Sequence, residues 1–455
     1  MTVITNYIYI MILKTKAIIK VTASVFVALI LISLTQSCRS RGSREEASVS
    51  ASGSKNAKAQ PVRFKFFLER SGSMTPFDEK TTSGDFKSAI TSFLNSIPDG
   101  KAGSENLLFI VNDAVYPFDK SYKEFIQSKN IFADTKNVGD PRYTDFTCIF
   151  DSILKKTGNN EVAVLVSDLI YSTPNMAEVN CTKILNEAKS LTRSVFKGKT
   201  NKDVLIVKML GDYDGPYYTY NNPNKGQQYK GIRPYYFVVV AAPDVMQRLF
   251  NDKKYQECMA FDERQGYEDE YCFSNEKKVN YSVLLSNKRN EGRVGAVRGQ
   301  KGVIHDVEKI EADRNGTVTM TIAADLSGII VPEKALLDTK NYEVNSLSGF
   351  KVKGIEKIQD SEKDKRLTNV IESPTHFIML TTQKKIAYET LNLRFKNELP
   401  AWVSKSNSDD DTNLNASDFS KTTYAFKYMM DGIYEAYYGT VEDPSYFQIE
   451  LNINK

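Results

Sequence analysis

The chain is 455 residues long, 41% hydrophobic and 25% charged, with a formal net charge of +4. Its basic residues are scattered and form no stripe interleaved with aromatics, which excludes a nucleic-acid groove. Two histidines and no C-x₂-C spacing disfavour a thiolate metal site, and the absence of a P-loop, H-E-x-x-H or G-x-S-x-G pattern argues against an enzyme.

In chain order, Lys14, Lys16 and Lys20 precede an uncharged apolar run over 21–34, which ends in Thr35-Gln36-Ser37-Cys38. A basic start, a run too short to span a bilayer comfortably and small residues before a cut describe an export signal over 1–37, with Met11 as a second candidate start. With a cysteine at the cut, the segment resembles a bacterial lipoprotein signal. That resemblance implies a palmitate-type acyl anchor on Cys38, membrane attachment through lipid, and a place in the cell envelope, on the outer membrane. An uncleaved membrane anchor is the alternative. Cleavage removes three lysines and no acid, taking the charge from +4 to +1. Residues 38–60 are rich in Ser, Gly, Ala and charge, have no aromatic residue, and read as a disordered tether.

An apolar strand over 64–68 runs into Glu69-Arg70-Ser71-Gly72-Ser73-Met74. Alternate residues of an extended segment face the same way, so this turn can aim two hydroxyls and a carboxylate at one cation. Phe86, Ala89, Ile90, Phe93, Leu94 and Ile97 recur at helical spacing. A strand over 107–111 and a hairpin partner near 116–118 follow, then a helix start at Asp145-Phe146-Thr147-Cys148. The apolar run 161–168 ends in Asp168, as a buried parallel strand delivering a carboxylate would. A helix through Cys181, Ile184, Leu185, Ala188 and Val195, strands over 204–210 and 235–242 and a short helix to Leu249 complete the pattern. Strands alternating with helices predict an α/β domain over 61–251 with a doubly wound, mostly parallel sheet. The segment 211–229, carrying five tyrosines, reads equally as an exposed contact loop or as a hairpin packed on its own domain.

From 252 the pattern changes to alternating strands at 317–322, 389–395 and 447–453. These predict a β-rich second domain over 252–455, with a sandwich as one arrangement and a helix at 423–438 whose apolar stripe faces a core. Asp409-Asp410-Asp411 lacks the spacing of a calcium loop and reads as a solvated linker.

Three ordered pieces, Glu69-Arg70-Ser71-Gly72-Ser73, the helix start with Thr147 and the strand ending in Asp168, resemble a von Willebrand factor A-like domain with its metal-ion-dependent adhesion site. The resemblance implies that Ser71, Ser73 and Thr147 bind a metal directly while Glu69 and Asp168 act through water. It implies Mg²⁺ as the cofactor, with Ca²⁺ or no metal as alternatives, and a protein partner whose acidic group completes the shell. Glu69 departs from the family, which has aspartate there. Family topology further implies that Cys148 meets Cys181 and that Cys258 pairs with Cys272; the even count of the four cysteines beyond Cys38 alone leaves three pairings, or four free thiols, open. The expected function is a lipid-anchored envelope binding protein and not an enzyme. A metal-independent structural scaffold is the alternative. A hydrolase using Ser71 or Ser73 would have to recruit His305 or His376, neither in a catalytic context.

Overall fold

The computed structural model describes residues 60–98, 107–173, 176–300, 302–363 and 365–454. The export signal, Cys38 and the tether lie outside the described residues. From Gln60 onward the chain forms one compact unit.

Its centre is a seven-stranded sheet in the order β3-β2-β1-β4-β6-β5-β7, with β1 (Arg63–Glu69), β2 (Leu107–Val111), β3 (Val115–Phe118), β4 (Glu161–Ser167), β5 (Asp203–Tyr217), β6 (Gln227–Ala241) and β7 (Tyr267–Phe273). Strand β1 is flanked in parallel by β2 and β4, and every other pairing in the sheet is antiparallel. Four strands, β1, β2, β4 and β5, therefore run one way. The doubly wound expectation gives way on the β5-β6-β7 side, and the reason is local. Strands β5 and β6 are each 15 residues long and are joined directly, and a direct turn can only return a strand antiparallel.

The pleat of β1 places Phe64, Phe66 and Leu68 on one face with Phe86, Ile90 and Phe93 of helix α1 (Asp85–Ser96). Phe67 and Leu165 face the other side, against Ile149 and Phe150 of α3 (Phe146–Lys156) and Ile184 and Leu185 of α4 (Cys181–Phe196). Between them in the chain, the short α2 (Tyr122–Gln127) is closed by a capping box in which Ser121 and Glu124 satisfy each other's backbone amides. A further helix, α5 (Pro243–Asn251), follows β6.

The remainder is β-rich. A five-stranded sheet runs β12 (Tyr342–Asn345), β15 (Glu389–Lys396), β16 (Ser445–Ile453), β10 (Asp306–Glu311), β9 (Arg293–Ala296), and a four-stranded sheet runs β13 (Lys351–Lys357), β14 (His376–Thr382), β11 (Val318–Asp325), β8 (Asn280–Leu284). Met320, Ile378, Leu393 and Ile449 from these two sheets belong to one apolar cluster that continues into the α3/α4 face of the first sheet.

The division expected at 252 meets two crossings. Strand β7 adds itself to the first sheet beside β5. Helix α6 (Phe426–Tyr438) lies across α4, and a Cβ on Gly432 would stand 2.4 Å from the Lys189 carbonyl oxygen, so the two backbones touch where only glycine fits. Glu435 of α6 adds ion pairs to Lys189 (2.5 Å) and Arg193 (3.6 Å) of α4.

Among the described residues the four cysteines, Cys148, Cys181, Cys258 and Cys272, are free thiols and not the two disulfides expected. Cys181 instead donates to the Asp409 carbonyl at 2.9 Å, while Cys258 and Cys272 are buried singly in the core. Among the described residues no helix is long and apolar enough to cross a membrane.

Candidate functional site

The carboxyl ends of β1 and β4 lie side by side, and the chain leaves each in a tight turn. After β1, Arg70 to Ser73 cross the top of the sheet, with the Arg70 amide donating to the Val111 carbonyl at 2.9 Å and the Gly72 amide to the Pro141 carbonyl at 3.2 Å. After β4, Leu169 takes the left-handed conformation at φ 52°, rare for a residue with a branched side chain. Two local bonds hold it there: the Leu169 amide donates to the Ser167 hydroxyl at 2.8 Å and the Ile170 amide to Asp168 Oδ1 at 3.1 Å. Strained backbone at a strand tip, fixed by its own side chains, is a common property of binding sites.

These turns gather Glu69, Ser71, Ser73 and Asp168 into a cup. The Ser71 and Ser73 hydroxyls are 3.0 Å apart. Glu69 is buried, accepting from Thr144 Oγ1 at 2.5 Å through Oε1 and from the Ser167 hydroxyl through Oε2. Asp168 is buried as well, and its Oδ2 has no hydrogen-bond partner. Burial raises the pKa of both carboxyls, and the Asp168 charge raises Glu69 further. At Glu69 the Ser167, Thr144 and Ser71 hydroxyls oppose the rise, and at Asp168 nearby Ser73, the Ile170 amide and the more distant Arg233 charge do so.

Thr147 is not part of the cup. Asp145 caps α3 by accepting the Cys148 amide at 2.9 Å, so Thr147 falls on the first helical turn, exposed to solvent and outside the cleft. Thr144, one residue before the cap, takes the inward position. The signal was available in the sequence: once Asp145 is recognised as the cap, the hydroxyl on the preceding loop is the one that can face the strand ends. That loop is tied to the sheet by Asn112 at the end of β2, which accepts from the Asp145 amide (3.0 Å) through its carbonyl and donates through its side chain to the Val138 carbonyl (2.8 Å).

Above the cup lies a cleft of about 420 Å³, and the tyrosine-rich segment forms much of its wall. That segment continues β5 and β6 beyond the sheet, buries Tyr213 and Tyr217, and brings Tyr218 over the serine turn. A Cβ on Gly72 would stand 2.8 Å from the Tyr218 ring, which gives this glycine a packing reason. Of the two readings of the segment, the self-packed hairpin is the observed one.

A buried clamp holds the hairpin from behind. The Arg233 guanidinium lies 4.0 Å from the Phe419 ring centre and 4.7 Å from that of Tyr217, and it donates to the Phe419 carbonyl. Tyr217 donates to Asp411 Oδ2 at 2.9 Å and the Tyr220 amide to Oδ1 at 3.0 Å. Asp411 is thus buried and not part of a solvated linker, though Asp409 and Asp410 beside it are exposed. Burial pushes its carboxyl up to about 6, against the Tyr220 amide, the Tyr217 hydroxyl and the Arg233 charge.

Among the described residues no group of three or more His, Cys, Asp or Glu side chains could hold a metal. The cup has two carboxylates and depends on hydroxyls for the rest. Ser71, Ser73 and Asp168 nevertheless fit a small hard cation. Neighbouring ligands on an octahedral Mg²⁺ with bonds near 2.1 Å stand about 3.0 Å apart, which matches the serine pair, and Asp168 Oδ2 is an acceptor with nothing to accept. Glu69, with both oxygens engaged, is a supporting group. Neither His305 nor His376 lines the cleft; His376 is buried with its Nε2 at 3.3 Å from Glu333. No protein-family model, curated protein or solved structure matches the chain.

Proposed function

We propose that the protein is a binding protein, lipid-anchored in the cell envelope, whose cleft captures a partner with the help of Mg²⁺ held by Ser71, Ser73 and Asp168. The observation that carries this reading is the buried Asp168 Oδ2 without a hydrogen-bond donor, near the Ser73 hydroxyl that itself bonds Ser71 at 3.0 Å. A buried acceptor without a donor is costly, and two carboxylates sharing a dry site repel each other. When bound, a divalent cation would offset both and present positive charge to an acidic group of the partner. What supports the A-like reading is the arrangement around the cup, with β1, β2 and β4 parallel and β3 antiparallel at the edge. The antiparallel β5-β6-β7 side departs from it. The envelope location rests on the sequence of residues 14–38 alone.

One observation favours the rival reading of a metal-independent scaffold: both oxygens of Glu69 are engaged by the Thr144 and Ser167 hydroxyls. Affinity capture from native membranes separates the two readings. Under the cation reading, a partner recovered in Mg²⁺ is lost in chelator and is also lost with Ser73→Ala in Mg²⁺. Recovery that ignores both changes supports the scaffold.

A further inference from the structure

Arg70 lines the cleft beside the serine turn, with its Nε buried and without a hydrogen-bond partner. Among the described residues it forms no ion pair. The other two arginines around the cleft are spoken for: Arg142 grips Asp140 through Nε (2.9 Å) and Nη2 (2.5 Å), and Arg233 belongs to the buried clamp. A partly buried guanidinium left without an acid is unfavourable unless a ligand supplies one, and its planar fork matches a carboxylate.

The walls say what carries that carboxylate. They carry five tyrosines and three prolines among serines and threonines, with Ile170 and Met176 as the only other apolar side chains, and Tyr220 stacks on Tyr424 at 5.1 Å with planes 4° apart. Tyrosine rings and their hydroxyls, with Asn224 and Thr75 in the same lining, put aromatic surface and polar groups side by side. They suit a sugar ring, which has C–H faces and a hydroxyl edge, and the volume is within the range of small-ligand sites.

We propose that the cleft binds a carboxylated sugar, its carboxylate on the Arg70 guanidinium and its ring against the tyrosine wall. This rests on the cleft being the binding site, as in the function above, but not on the cation. The test is calorimetry on the full-length protein with a glucuronate-containing disaccharide, the same disaccharide with its carboxylate reduced to an alcohol, and an acetylated aspartyl peptide, each in Mg²⁺ and in chelator. The acidic sugar should bind at least about tenfold tighter than the neutral one, the size of one charge-assisted bidentate contact. Arg70→Gln should abolish that ratio with the melting curve unchanged, and Arg70→Lys, which keeps the charge without the fork, should retain only part of it. A ratio that persists in chelator, whether or not Mg²⁺ is taken up, upholds the sugar site independently of the cation. No binding of either sugar, equal binding of both, a ratio that survives Arg70→Gln, or tighter binding of the peptide overturns it.

Discussion

Two buried aspartates flank the same hairpin, and they differ in what the protein gives them. Asp411 uses both oxygens inside the fold, on the Tyr217 hydroxyl and the Tyr220 amide, with Arg233 close by. Asp168 has one oxygen on the Ile170 amide and the other without a hydrogen bond, the Ser73 hydroxyl standing nearby. A fully satisfied polar network specifies and rigidifies a structure, whereas an acceptor left open in a well-packed site asks for a ligand. On the proposed function, the clamp positions the hairpin and the cup and cleft in front of it do the binding.

The comparison breaks most visibly at Arg233. Arg233→Ala removes a buried charge, two ring contacts and a donor, and should cost about 3–5 kcal/mol of unfolding free energy, read from denaturant midpoints. A cost below about 1 kcal/mol would mean that the clamp is not structural. Asp411 sharpens the same side through pH. Its folded pKa of about 6 lies above its ordinary value of 3.8, so the fold holds the proton more tightly. The stability this contributes is complete below the ordinary value and is lost as pH rises through about 6. The loss is up to about 3 kcal/mol, at 1.36 kcal/mol per unit. Melting curves from acid to neutral pH should show that fall, and Asp411→Asn should flatten it.

On the other side, Glu69→Asp should cost about 1–3 kcal/mol, because withdrawing the carboxylate by one methylene strands the Thr144 and Ser167 hydroxyls. Resemblance to a family with aspartate there leads to the opposite expectation, that the shorter acid is tolerated, and a thermal melt decides between them. The smallest effect belongs to Asp168→Asn, which should change stability by no more than about 1 kcal/mol, since the fold spends little on that side chain.

Much of the scaffold was legible because it is written in local pattern. The runs at 107–111 and 161–168 became β2 and β4, and the apolar spacing from Phe86 became α1, each within a residue or two. Glu69, Ser71, Ser73 and Asp168 are gathered as their places at strand ends imply. What was not legible depends on distant partners. The Gly, Pro, Asp and Tyr content of 211–229 imitates turn chemistry, yet most of it extends two strands, because tertiary packing overrides propensity there. Asp411 looks like a solvated acid until Tyr217, 194 positions away, is placed against it. The resemblance points to Thr147, but the Asp145 cap puts that residue on the exposed first turn of α3 and leaves Thr144 against Glu69.

The measurement that tests the central claim most directly is Mg²⁺ titration calorimetry on the full-length protein, wild type against Ser73→Ala and Asp168→Ala, with melting curves in chelator alongside. The cation reading requires uptake of one ion by the wild type at millimolar concentration or below, lost in both variants while their melting curves in chelator stay close to that of the wild type. A wild-type protein that takes up no divalent ion at millimolar concentration would contradict it and leave the cup as part of a scaffold.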